Sequence, residues 1–223
     1  AQLVNTAQKD IGDGWGDGDN FNGGAGTNEI TIAFTTAGDT TRAATMSKFQ
    51  TANVTFDAPV SFEGAAVDDL KTVNLNASKS RADFNQMDST LDTLNIKGNP
   101  GAGVEVDYDG KAYASLSVNI QGKTDAIGNA GNKAAIRVIN ADEVNLTHEG
   151  TAAVSLNNGL QLDQTFSNNN RSTQFLNIQN KSDFDLTING MESNGNSFAA
   201  VADSNHVTHV TVQTNAEGDI YAG

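Results

Sequence analysis

Gly14 to Thr31 holds the densest set of residues able to bind a hard cation. The stretch divides into two nine-residue blocks, GWGDGDNFN and GGAGTNEIT. Glycine fills the first, third and fifth positions of the first block and the first, second and fourth of the second. Asp19 and Asn28 share the sixth position, and Phe21 and Ile30 share the eighth. Glycines allow tight turns that aim carbonyls inward. The sixth side chain supplies a hard oxygen, and the eighth begins a strand whose side chain is buried. Calcium takes roughly six to eight such oxygens at about 2.3–2.6 Å. The alternative is a surface loop rich in Gly, Asp and Asn that holds no metal.

Other candidate chemistry is thinner. His206 and His209 have H-x-x-H spacing, but Val207 and Val210 favour a strand, on which positions i and i+3 face opposite sides. Both are expected at the surface, as is His148 in the turn-like LTHEGT. The chain has no H-E-x-x-H zinc-protease signature, no G-x-S-x-G elbow and no phosphate-binding glycine loop ahead of a lysine. Gly23–Gly26 opens a strand, so it lacks the helix N-terminus that a phosphate site uses. Carboxylate pairs recur at Asp68–Asp69, Asp107/Asp109, Asp142–Glu143 and Asp183/Asp185. A carbohydrate enzyme would place basic residues and aromatic platforms beside such pairs. With one Trp, three Tyr and scattered Lys and Arg, we expect solvated turns or peripheral calcium ligands, and no enzyme.

The elements that must position these residues read as β-structure. Thirteen Lys and Arg against 27 Asp and Glu leave a net charge of −14, which argues against nucleic acid and anionic membrane as partners and for divalent cations. There is no Cys, so disulfides, Cys-based zinc sites and thiol catalysis are excluded. No apolar run reaches transmembrane length, and membrane insertion is not expected. AQLVNTAQKD has no basic region followed by an apolar core, and its immediate passage into repeat-like sequence leads us to expect a fragment of a longer chain.

Glu29–Phe34 alternates polar and apolar. From Thr51 an apolar–Asn–apolar core recurs at Val73-Asn74-Leu75, Leu94-Asn95-Ile96, Val118-Asn119-Ile120, Val144-Asn145-Leu146 and Leu176-Asn177-Ile178, with Thr versions at Val54-Thr55-Phe56 and Val210-Thr211-Val212. Second strand-like pieces follow at Val104, Ala153, Leu186 and Asp219. Spacing between cores runs from 19 residues (Val54 to Val73) to 34 (Leu176 to Val210), too irregular for a strict short repeat. The expected fold is all-β, a right-handed parallel β-solenoid with irregular loops, the Asn residues stacked on its outer face. A layered β-sandwich of hairpins has the same strand signature. Short helical turns are expected at 84–91 and 126–135 at most, with 7–12 weakly helical and 42–49 either helix or loop. Two parts are expected: a glycine- and aspartate-rich opening segment, 1–40, and a repetitive β-domain, 41–223.

The two blocks resemble the calcium-binding nonapeptide of RTX proteins, G-G-x-G-x-D-x-U-x. Together with the recurring L-x-T-[VL]-N-[LI] strands and the acidic, Cys-free composition, they resemble bacterial RTX-type surface-layer proteins. That resemblance implies a secreted structural subunit on the extracellular cell surface, assembling with copies of itself in the presence of Ca2+. It makes Asp19 and Asn28 the sixth-position ligands, with Gly14, Gly16, Gly23, Gly24 and Gly26 shaping the loop. Trp15 and Asp17 depart from the family pattern, and Asp17 adds a further carboxylate. Two blocks make about one turn of an RTX roll, whose sites are shared between turns, so a complete site draws on sequence beyond this chain or is missing. Surface polysaccharide or lipopolysaccharide is a further expected partner. The alternatives are an adhesin or biofilm-matrix module that binds a glycan or cell surface and, third, a carbohydrate-active β-helix enzyme.

Overall fold

The structure, a computed structural model, describes residues 4–5, 20–35, 41–122, 126–128, 133–163, 173–193, 196–197, 209–214 and 220–222. All regular structure among them is β. The first sheet has nine strands in the order Val4–Asn5, Glu29–Phe34, Thr51–Phe56, Thr72–Leu75, Thr93–Ile96, Ser115–Ile120, Glu143–His148, Phe175–Asn180 and His209–Thr214. The second has eight: Asn196–Ser197, Met191–Ser193, Leu160–Asp163, Ile136–Ile139, Val104–Tyr108, Ala82–Met87, Ser61–Glu63 and Thr41–Ala43. A third contains Ala126–Ile127, Val154–Leu156, Leu186–Ile188 and Ile220–Ala222, and a fourth pairs Asn20–Asn22 with Thr45–Ser47. Neighbouring strands are parallel except Met191–Ser193 with Asn196–Ser197, so hairpin pairing, the basis of the sandwich alternative, occurs once among the described residues.

The helical expectations at 42–49, 84–91 and 126–128 fail. Ala82–Met87, Ala126–Ile127, Thr41–Ala43 and Thr45–Ser47 are strands, because each finds a parallel partner that an isolated helical turn lacks. Residues 7–12 lie outside the described set. The first sheet runs across residues 40–50, pairing Glu29–Phe34 with Thr51–Phe56.

Register explains the core. Successive strands of the first sheet align Ile30, Ala52, Val73, Leu94, Val118, Leu146 and Ile178 in one column, all buried. A second column runs through Ile32, Val54, Leu75, Ile96 and Ile120. Each large aliphatic side chain so buried contributes about 1.5–3 kcal/mol before conformational entropy is charged against it. Phe34 stacks on Phe56 at 4.9 Å between centroids, and Phe56 meets Phe84 edge-on at 5.3 Å.

The second column then turns polar at His148 and Asn180, both fully buried. This corrects the expectation of a surface histidine: Thr147 aligns with Asn119 on the other face of the sheet, and the alternation of the strand carries the next residue inward. His148 Nδ1 lies 3.1 Å from Asn180 Oδ1, and Nε2 lies 3.1 Å from the Ala152 carbonyl. The Asn180 amide is held in that orientation, because Oδ1 accepts from Ser182 N and Nδ2 donates to the Phe184 carbonyl. Both imidazole nitrogens therefore face acceptors. Burial nevertheless holds the imidazole pKa below its ordinary value, against the pull of those acceptors.

On the outer face of the first sheet the Asn residues form a ladder. Asn74 Nδ2 donates to Asn53 Oδ1 at 2.9 Å, Asn95 to Asn74 at 3.0 Å, and Asn119 to Asn95 at 3.0 Å. Asn53 caps the run by donating to Glu29. Asn119 is opposite Thr147, and a second ladder starts one column over, where Asn177 donates to Asn145 and Asn145 to Glu143. The ladders satisfy amides that would otherwise lose water on a tightly stacked face.

Candidate functional site

Two regions bring polar groups together. The first is the glycine-rich opening. Gly14, Gly16, Asp17 and Asp19 lie outside the described residues, so the structure places only Asn28, Gly23, Gly24 and Gly26 of the proposed calcium set. Asn28 is buried, 2% exposed. Its Nδ2 donates to the Gly26 carbonyl at 3.2 Å and to the Lys48 carbonyl at 2.8 Å, and its backbone N–H donates to Gln50 Oε1 at 2.9 Å. The amide thus ties the glycine loop to the neighbouring segment. Gly23 is required by close approach, since a Cβ there would collide with the Lys48 carbonyl oxygen and the Asn28 side chain. Gly24 and Gly26 have φ of 76° and 99°, left-handed values that a side chain disfavours. Among the described residues no group of three or more His, Asp or Glu is arranged to hold a metal ion.

The second region is the outer face of the second sheet, where parallel register aligns Ser61, Asp83, Glu105, Arg137 and Gln161 in one column. Arg81 lies across it. Its Nη1 donates to the Ala134 carbonyl at 2.9 Å, and Nη2 contacts the Val104 carbonyl at 3.3 Å and Glu105 Oε2 at 3.2 Å. Nε sits 2.9 Å from Asp83 Oδ1, yet neither atom has an aligned hydrogen bond, so that contact is coulombic. Arg137 bridges Glu105 at 3.2 Å and Asp163 at 2.6 Å. Asp163 Oδ1 is buried with no hydrogen-bond partner.

Asp107 lies beside this network on the same strand as Glu105. Burial pushes its carboxyl up to about 6, partly offset by the hydrogen bond from Asn140 Nδ2 at 3.0 Å. Asp83 is also raised, chiefly by burial, against the nearby Arg81 charge. Chemically the face offers one carboxyl, Asp107, that gives up its proton only near pH 6, three carboxylates engaged by guanidinium groups, and, among the described residues, no histidine.

Beside Asp83 the surface opens into a cleft of about 530 Å³, lined by Pro59, Val60, Ser61, Lys79, Ser80, Arg81, Asp83, Ala102 and Lys133. Its walls are the connections that precede four strands of the second sheet, Ser61–Glu63, Ala82–Met87, Val104–Tyr108 and Ile136–Ile139, together with Ser61 and Asp83 at the starts of the first two.

Sequence reading placed the carboxylate pairs in turns and missed this grouping. Asp107 is in a strand and bonded to Asn140, whereas Asp109 pairs with exposed Lys111 at 2.9 Å. Asp142 Oδ2 accepts the Ala114 N–H at 2.9 Å, and Glu143 caps an Asn ladder. His206 lies outside the described residues, and His209 begins the last strand of the first sheet. The missed signal is register: Asp83, Glu105 and Arg137 are 22 and 32 residues apart, and only parallel pairing in register makes such unequal spacings one column.

No protein-family model matches the chain, and comparison with curated proteins and with solved structures finds no match.

Proposed function

We propose that the chain is a structural subunit of a bacterial surface layer, secreted, displayed on the cell exterior and assembled with copies of itself through calcium. In this reading the parallel sheets belong to one right-handed β-solenoid with loops of unequal length, and the protein is not an enzyme. The observation that carries the proposal is the unbroken parallel register from Glu29–Phe34 to His209–Thr214, held by apolar columns inside and Asn ladders outside. Such stacking gives a stiff scaffold that presents a broad face, which suits a tiling subunit. The glycine blocks supply the calcium ligands: Asp19 and Asn28 at the sixth positions, Asp17 beside them, and Gly14, Gly16, Gly23, Gly24 and Gly26 forming the loop. With a net charge of −14, identical copies repel one another until divalent ions bridge them.

Negative-stain microscopy and thermal melting with added calcium or excess EGTA test this. Ordered sheets in calcium and a lower melting temperature in EGTA are expected. Identical melting curves together with no sheets would overturn both the metal and the assembly. A second reading, a module that binds a surface glycan, is favoured by the basic cleft beside Asp83.

A further inference from the structure

We propose that the cleft beside Asp83 is a binding site for a carboxylate-bearing saccharide of the uronic acid type. Three of the chain's 13 basic side chains, Lys79, Arg81 and Lys133, line one opening in a protein of net charge −14, and a single carboxylate, Asp83, faces them there. Arg81 is committed: it is 8% exposed and held by Asp83, Glu105 and the Ala134 and Val104 carbonyls. It forms a rigid charged floor that does not have to be ordered when a ligand arrives.

The two lysines are free to engage a ligand. Lys79 is 80% exposed and meets Asp57 only at 3.4 Å, a contact of little strength in water. Lys133 has no ion pair among the described residues, and its charge is close enough to Asp83 to favour that carboxylate's ionised form. Two ammonium groups in the lining of one opening suit an anion as its occupant.

The remaining lining can accommodate a sugar without an aromatic platform. Ser61 and Ser80 provide hydroxyls, and Pro59, Val60 and Ala102 provide small apolar surface of the kind that packs against the C–H face of a pyranose. Among the described residues no aromatic side chain lines the cleft, so a nucleobase finds nothing there to stack on. A volume of about 530 Å³ lies within the usual range for small-ligand sites, roughly 300–1,000 Å³. The proposal is independent of lattice assembly, since the cleft is formed by residues of one chain.

Isothermal titration of the full chain with trigalacturonate, its methyl ester and maltotriose at low ionic strength is the test. We expect the acid to bind about tenfold or more tightly than either neutral sugar, because only it can use the lysines. Lys133→Gln and Lys79→Gln should each weaken it by roughly three- to tenfold with unchanged melting temperature, whereas Lys97→Gln, exposed at the end of Thr93–Ile96 and outside the cleft lining, should not. Equal affinity for the acid and its methyl ester, or no binding of any of the three, overturns the proposal. Displacement of trigalacturonate by inorganic phosphate at similar concentration overturns the saccharide assignment, leaving a simple anion site. All of these readouts are made on the soluble chain without calcium, so they succeed or fail separately from sheet formation.

Discussion

Replacing Asp107 by Asn should make the protein more stable at neutral pH and change the shape of its pH dependence. In the folded protein burial raises this carboxyl from 3.8 to about 6. The folded state therefore keeps a proton over a range in which the unfolded chain has released it. Its contribution to stability is fully present below 3.8, declines as pH rises to about 6, and is a constant penalty above that. At about 1.4 kcal/mol per pH unit the full shift corresponds to roughly 3 kcal/mol. Asp107 keeps part of its hydration, so screening reduces this to about 1–2 kcal/mol. Asparagine keeps the shape and can still accept from Asn140 Nδ2 through its amide oxygen. The charges that act on Asp107 from its own and neighbouring strands, Glu105, Arg137 and Glu63, are unchanged by the substitution. Urea unfolding of both proteins at pH 4, 5, 6 and 7 should show curves that nearly coincide at pH 4 and diverge by about 1–2 kcal/mol at pH 7, with Asp107→Asn the more stable. A constant offset across that range, or a less stable variant at pH 7, would refute the reasoning.

Four further substitutions test the scaffold. His148 has a lowered folded pKa, so the parent protein should lose stability as pH falls below the ordinary histidine value of about 6.5; His148→Leu should lack that component in a pH series of thermal melts. Asn95→Ala removes two rungs of the outer ladder and should cost about 1–2 kcal/mol, a fall of roughly 2–8 °C by calorimetry. Gly23→Ala drives a methyl group into the Lys48 carbonyl and should cost about 2 kcal/mol or more, while Gly24→Ala, open to solvent but left-handed, should cost only about 1 kcal/mol in the same melts.

The repeated apolar–Asn–apolar cores were legible as strands because alternation reports directly which residues a strand buries. Their side chains occur where that pattern places them, Val73 and Leu75 inside and Asn74 in a ladder outside. Sequence alone also determined the acidic charge, the absence of thiols and the glycine pattern from Gly14 to Thr31, since these are properties of residue types and local spacing. Tertiary structure decided the rest. Segments such as Ala82–Met87, with no strong period of their own, became strands because a neighbouring strand completed their hydrogen bonds. His148 went inside because the alternation of its strand, rather than its polar neighbours in sequence, set its direction. The Arg81, Asp83, Glu105 and Arg137 network and the adjoining cleft depend on connections of unequal length closing in register, and that is a property of the stacked chain which no single segment contains.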